Sequence, residues 1–72
     1  MYNLDVWNHL DIGVCLLMGE PDSSRVVSAV IPSGECMSFQ GIKKQPLRLR
    51  RDKDKAKWVD EIHGVSVRWR KV

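Results

Sequence analysis

The run Pro46-Leu47-Arg48-Leu49-Arg50-Arg51, with its later counterpart Val65-Ser66-Val67-Arg68-Trp69-Arg70, decides the fold class of this chain. Apolar and polar residues alternate in both with a period of two. Successive side chains of an extended strand point to opposite sides, so such alternation marks a strand buried on one face. Leu47 and Leu49 then share an oily face, with Arg48 and Arg50 on the other. In the second run Val65, Val67 and Trp69 face inward, while Arg68 and Arg70 face solvent.

Further strands are expected toward the N-terminus. Val14 to Met18 is an unbroken apolar run and reads as a buried strand. Arg25 to Ile31 holds Val26, Val27, Val30 and Ile31, whose β-branched side chains favour extended backbone. Cys36 to Ile42 reads as a shorter strand, interrupted at Gly41 by a bulge. The separators carry turn chemistry: Gly19 to Ser24, Pro32-Ser33-Gly34-Glu35 at hairpin length, and Asp52-Lys53-Asp54-Lys55.

Two segments read both ways. Leu4, Trp7 and Leu10 recur at intervals of three, which predicts a short amphipathic helix or an irregular lead-in over residues 2–10. Trp58, Val59 and Ile62 fit a helical face capped by Asp52 or Asp54 and stopped by Gly64. They also fit a strand ending in a His63-Gly64 hairpin turn, and the hairpin chemistry favours the strand. The expected fold is therefore mainly β. It is a small five-stranded antiparallel barrel or sandwich of SH3-like, Sm-like or OB-like kind, with or without a short N-terminal helix. The alternative is α+β with a helix at about 54–63.

The 72 residues are expected to form a single domain over 1–72. A domain of this size buries only about 60–65% of its unfolded surface, so its core is small. Three tryptophans add apolar area, and pairing with a copy of itself would add more, which keeps a homo-oligomer open. An apolar share of 43% and a charged share of 29% suit a globular chain rather than a disordered one. No apolar run reaches the ~18–20 residues of a membrane-spanning helix. The acidic start MYNLDVWNHLD lacks the order of an export signal. The expectation is a cytoplasmic protein with no membrane partner. Cys15 and Cys36 are then reduced thiols, buried as small apolar groups. Together with His9 and His63 they lack the clustered spacing of a metal site, so no metal and no cofactor are expected.

Charge is divided between the two parts of the chain. Residues 1–42 hold Arg25 against Asp5, Asp11, Glu20, Asp22 and Glu35, a net of −4. Residues 43–72 hold eleven basic residues against Asp52, Asp54, Asp60 and Glu61, a net of +7. Such asymmetry points to a polyanionic partner. The two alternating segments supply its candidate surface. Placed side by side, they present Arg48, Arg50, Arg68 and Arg70 as one patch, with Lys43, Lys44, Arg51, Lys53 and Lys55 on its rim. The planar arginine fork matches phosphate geometry.

These observations predict a small non-catalytic module that binds nucleic acid through phosphate contacts. The alternative is an inhibitor, adaptor or assembly factor docking on an acidic protein, an accessory role common among phage and mobile-element proteins. Catalysis has one candidate set, His63 and Glu61 among the arginines, which would suit a small ribonuclease. Trp69 belongs to the core by its parity, leaving few aromatics for base stacking.

Overall fold

The computed structural model describes residues 1–20, 26–53 and 57–72. Six strands follow one another: β1 (Tyr2–Asn8), β2 (Val14–Met18), β3 (Val27–Ile31), β4 (Cys36–Ile42), β5 (Leu47–Arg51) and β6 (Val65–Lys71). They form two three-stranded antiparallel sheets, ordered β4-β1-β6 and β3-β2-β5. No helix occurs among the described residues. The arrangement is sandwich-like rather than a closed barrel, and it has one strand more than the alternation predicts.

Period-two burial builds both inner faces. In β1, Leu4, Val6 and Asn8 point inward; in β2, Val14, Leu16 and Met18 do. Leu49 lies opposite Leu16 and Ile31 opposite Val14, so the second sheet brings its oily residues into register. Leu4, Val6, Val14, Leu16, Met18, Ile31 and Leu49 form one cluster spanning both sheets, and Trp69 packs against it as its parity requires. Full burial of each such side chain stabilises by about 1.5–3 kcal/mol. Cys15 and Leu17, within the same apolar run, lie on the outer face and are only half-buried.

The N-terminal helix is corrected to a strand, and a central one. The interval of three between Leu4 and Trp7 is outweighed by the alternation of Leu4, Val6 and Asn8, which places Trp7 outside. Residues 57–63 form neither helix nor regular strand. Val59 makes a single bridge to Leu49, with both backbone hydrogen bonds at 2.7 and 2.9 Å. The proposed cap at Asp54 and the turn residue Lys55 lie outside the described residues, as do Pro21 to Arg25 of the first turn and the third strand.

Four of the five connections change sheet; only β2 and β3 are both consecutive and paired. The hairpin expected at Pro32–Glu35 is a corner instead. The Glu35 amide donates to the Pro32 carbonyl at 3.1 Å, and Gly34 takes φ +74°, but β3 and β4 then part to different sheets. Turn chemistry specifies a reversal, not the sheet that the next strand joins. At Gly64 the same holds: Val65 N–H donates to Ile62 at 3.0 Å, and β6 goes on to pair with β1. The bulge at Gly41 is present. Three steps along β4 match two along β1, Gly41 has φ +63°, and its amide donates to Asn3 Oδ1 at 3.1 Å.

Asn8 fixes the crossing from β1 to β2. It is fully buried, and its amide is fully employed. Nδ2 donates to the carbonyls of Ile12 (2.8 Å) and Ile31 (3.0 Å), and Oδ1 accepts from Leu10 N–H at 2.9 Å. These bonds satisfy backbone groups of the irregular segment after β1, at Leu10 and Ile12, and of Ile31 at the end of β3. Along the other side, β5 and β6 stay apart. A cleft of about 650 Å³ lies between them, lined by Leu47, Leu49, Val65 and Trp69. Val67, although of inward parity, is therefore 38% exposed.

Candidate nucleic-acid interface

The four arginines do not form one patch. β5 and β6 belong to different sheets whose inner faces share the core. Arg48 and Arg50 therefore leave the outer face of β3-β2-β5, and Arg68 and Arg70 the outer face of β4-β1-β6. Alternation gives the face of a residue within its sheet, but not which sheet its strand enters.

The outer face of β4-β1-β6 is arranged in rows. Cys36, Trp7 and Ser66 lie abreast; Ser38, Asp5 and Arg68 form the next row; Asn3 and Arg70 the third. Trp7 sits on the middle strand and is 50% exposed. His9 continues the aromatic surface, with its ring centroid 4.6 Å from that of Trp7 and the planes 32° apart. His9 Nε2 lies 3.2 Å from Ser66 Oγ, which ties the imidazole to the edge strand. An indole on the central strand, in the end row of the sheet beside the Ser66 hydroxyl and next to the row of Arg68, gives a π-surface with donors around it.

Asp5 occupies the middle of this face. Ser38 Oγ donates to its Oδ1 at 2.7 Å, and Arg70 Nε donates to Oδ2 at 2.9 Å. The Ser38 hydrogen bond, then that of Arg70, holds the Asp5 carboxyl below its ordinary value of 3.8. Arg70 thus spends much of its charge within the chain, against the expectation of a free patch. Arg68 is exposed, and the Arg70–Asp5 pair is the only ion pair among the described residues.

The other predicted cations are dispersed. Lys43 and Lys44 are exposed just beyond β4, with Lys44 Nζ 5.8 Å from the Tyr2 ring centre. Tyr2 in turn meets Trp69 edge-on at 6.1 Å. Arg51 and Lys53 are exposed at and after the end of β5, and Lys55 lies outside the described residues. Arg50 is half-buried, its guanidinium carbon 4.6 Å from the ring centre of Trp58. Cys15, in register with Arg50, is half-buried, and its Sγ donates to Asp52 Oδ1 at 3.4 Å. Burial, then Asp52, pushes its thiol above the ordinary value. Cys36 is exposed rather than buried, because the row it occupies faces solvent.

Sequence reasoning missed Trp7 and His9. The available signal was the parity of Leu4 and Val6, which puts Trp7 outside once residues 2–8 are read as a strand. Comparison with protein-family models, with curated proteins and with solved structures returns no match to this chain. Fold and surface together define a small two-sheet β protein with an aromatic and basic face on one open sheet.

Proposed function

We propose that the protein binds single-stranded nucleic acid on the outer face of the β4-β1-β6 sheet. Trp7 is the stacking surface, His9 extends it, and Arg68 with the free donors of Arg70 contacts phosphate. The observation that carries this reading is the half-exposed Trp7 on the central strand, beside a basic edge strand. Unstacked bases bind sheet-borne aromatic rings in this manner, and every base has a π-face to offer. A flat sheet face suits splayed single strands better than the groove of a duplex. Asp5, held ionised, adds an acceptor for exocyclic amino groups on a stacked base, as carboxylates accept from cytosine N4. The neighbours of Trp7 here are Cys36, Ser66 and His9 rather than large aliphatics, which favours a polar ligand over the apolar core of a protein–protein interface.

The test is ultraviolet cross-linking of the full chain to a labelled single-stranded oligonucleotide, followed by trypsin digestion and mass spectrometry. The cross-link is expected in the tryptic peptide spanning residues 1–25, which carries Trp7 and His9. Cross-links confined to residues 43–72, or tighter binding to duplex than to single strand, would overturn the reading. Docking on an acidic protein predicts instead a partner band that survives nuclease treatment with no bound oligonucleotide.

A further inference from the structure

We propose that the groove along the free edge of β5 is a binding site for a phosphate monoester dianion, with Arg50 as its principal ligand. The groove holds about 240 Å³ and runs between β5 and the segment pinned to it by the Val59–Leu49 bridge. Arg50, Arg51 and Lys57 line it, together with Glu61 and His63. Arg50 and Arg51 leave β5 on opposite sides, and with Lys57 they place three cationic residues around this groove.

Arg50 is prepared for a ligand in two ways. Trp58 lies against its guanidinium at 4.6 Å, which fixes the plane of the fork and removes water from one face. Its Nε is buried and has no hydrogen-bond partner. A buried donor left without an acceptor is costly, so Arg50 gains by turning this N–H toward an anion's oxygen that enters the groove. Among the described residues no carboxylate approaches Arg50, Arg51 or Lys57 within ion-pair distance, although Glu61 lines the same groove. Glu61 lowers the potential of the groove, but the three cationic residues outnumber it, so a dianion gains about twice what a carboxylate or phosphodiester monoanion does. The tetrahedral oxygens of a monoester also accept from the planar fork and the ammonium together. Glu61 and His63 flank this anion position, which accounts for their nearness to arginine without assigning them catalysis.

This site lies apart from Trp7, so it stands whether or not the opposite sheet binds nucleic acid. The phosphate has two sources, a small free phosphate or the terminus of a nucleic acid. The experiment titrates the full chain with inorganic phosphate, and with one short oligonucleotide bearing either a 5′-phosphate or a 5′-hydroxyl. Binding is followed by proton–nitrogen NMR, including the Arg50 Nε–H. Saturable shifts confined to Arg50, Arg51 and residues 57–63 are expected with inorganic phosphate. Arg50→Lys keeps a charge but loses the fork, and is expected to weaken phosphate binding by about tenfold or more. Lys57→Ala, on an exposed and irregular segment, reports the same loss should Arg50→Lys fail to fold. Preference for the 5′-phosphate oligonucleotide assigns the site to nucleic-acid ends. Equal affinity for the two, with phosphate binding retained, assigns it to small phosphates. Trp7→Ala leaves phosphate binding unchanged, which separates this site from the stacking face. Shifts scattered over all basic residues, or unaltered phosphate affinity in the folded Arg50→Lys and Lys57→Ala proteins, would overturn the proposal.

Discussion

Replacing Trp7 by alanine removes the stacking surface while sparing the core. The ring is 50% exposed and its cross-strand neighbours are Cys36 and Ser66, so the fold draws little from it. Loss of strand preference and of these lateral contacts costs at most about 1 kcal/mol of stability. Leu4, three residues earlier on the same strand and fully buried, would cost about 2–5 kcal/mol on truncation to alanine. For binding the order reverses. A stacked base is worth about 1–3 kcal/mol, and a ring already half covered by its own sheet belongs in the lower part of that range. A loss of about 1–2 kcal/mol is a weakening of about 5- to 30-fold. The assay is fluorescence anisotropy of a labelled single-stranded oligonucleotide at one fixed salt concentration, beside thermal melts of the free proteins. Trp7→Phe keeps an aromatic face and should recover most of the affinity. If Trp7→Ala binds within twofold of the parent, or loses affinity only in proportion to its unfolded fraction, stacking on this face is refuted.

Further outcomes follow from the geometry. Asn8→Ala strands the Ile12 and Ile31 carbonyls and the Leu10 amide, and should lower stability by about 2–4 kcal/mol in urea unfolding, beyond the cost of a surface change. Asp5→Asn frees Arg70; the slope of log affinity against log salt for single strands should steepen by about 0.7 for the added cation. Because the folded Asp5 carboxyl titrates below its ordinary value, its contribution to stability is present above pH 3.8 and lost as pH falls through the lower folded value. The melting difference between parent and Asp5→Asn should accordingly vanish in acid and persist at neutral pH. Iodoacetamide should label exposed Cys36 well before Cys15, whose thiol is half-buried and raised above its ordinary value; equal rates by mass spectrometry would contradict this. Gly64→Ala places a Cβ 2.6 Å from Leu10 Cδ2 at φ +93°, and should destabilise by about 1–2 kcal/mol in the same unfolding assay.

Much of the strand content was legible. The alternation at Leu47–Arg50 and Val65–Arg70 gave two strands with the correct inward residues, and Gly41 marked a true bulge. β1 was not, because a polar Asn8 stands where the alternation calls for an apolar residue, and only its three hydrogen bonds make that burial tolerable. The grouping of strands into sheets was not legible either. Pro32 to Glu35 has the composition of a hairpin turn, yet the strands it joins separate, and that choice depends on distant partners. The arginine patch failed for the same reason: parity located each guanidinium on an outer face, while the sheet assignments put those faces on opposite sides. Trp7 emerged as a candidate only when β1 became a central strand.

The interleaving of the two sheets has a kinetic consequence. Leu4 meets Trp69 across the β1–β6 ladder, so nearly the whole chain must be gathered before the first strand acquires both neighbours. Closing so long a loop costs entropy ahead of any reward, and such non-local topologies fold in milliseconds to seconds rather than microseconds. Only the β2–β3 hairpin can form early from neighbouring residues. A chain cut before Val65 would leave β1 with one flank unsatisfied and the Trp7 platform without its basic border.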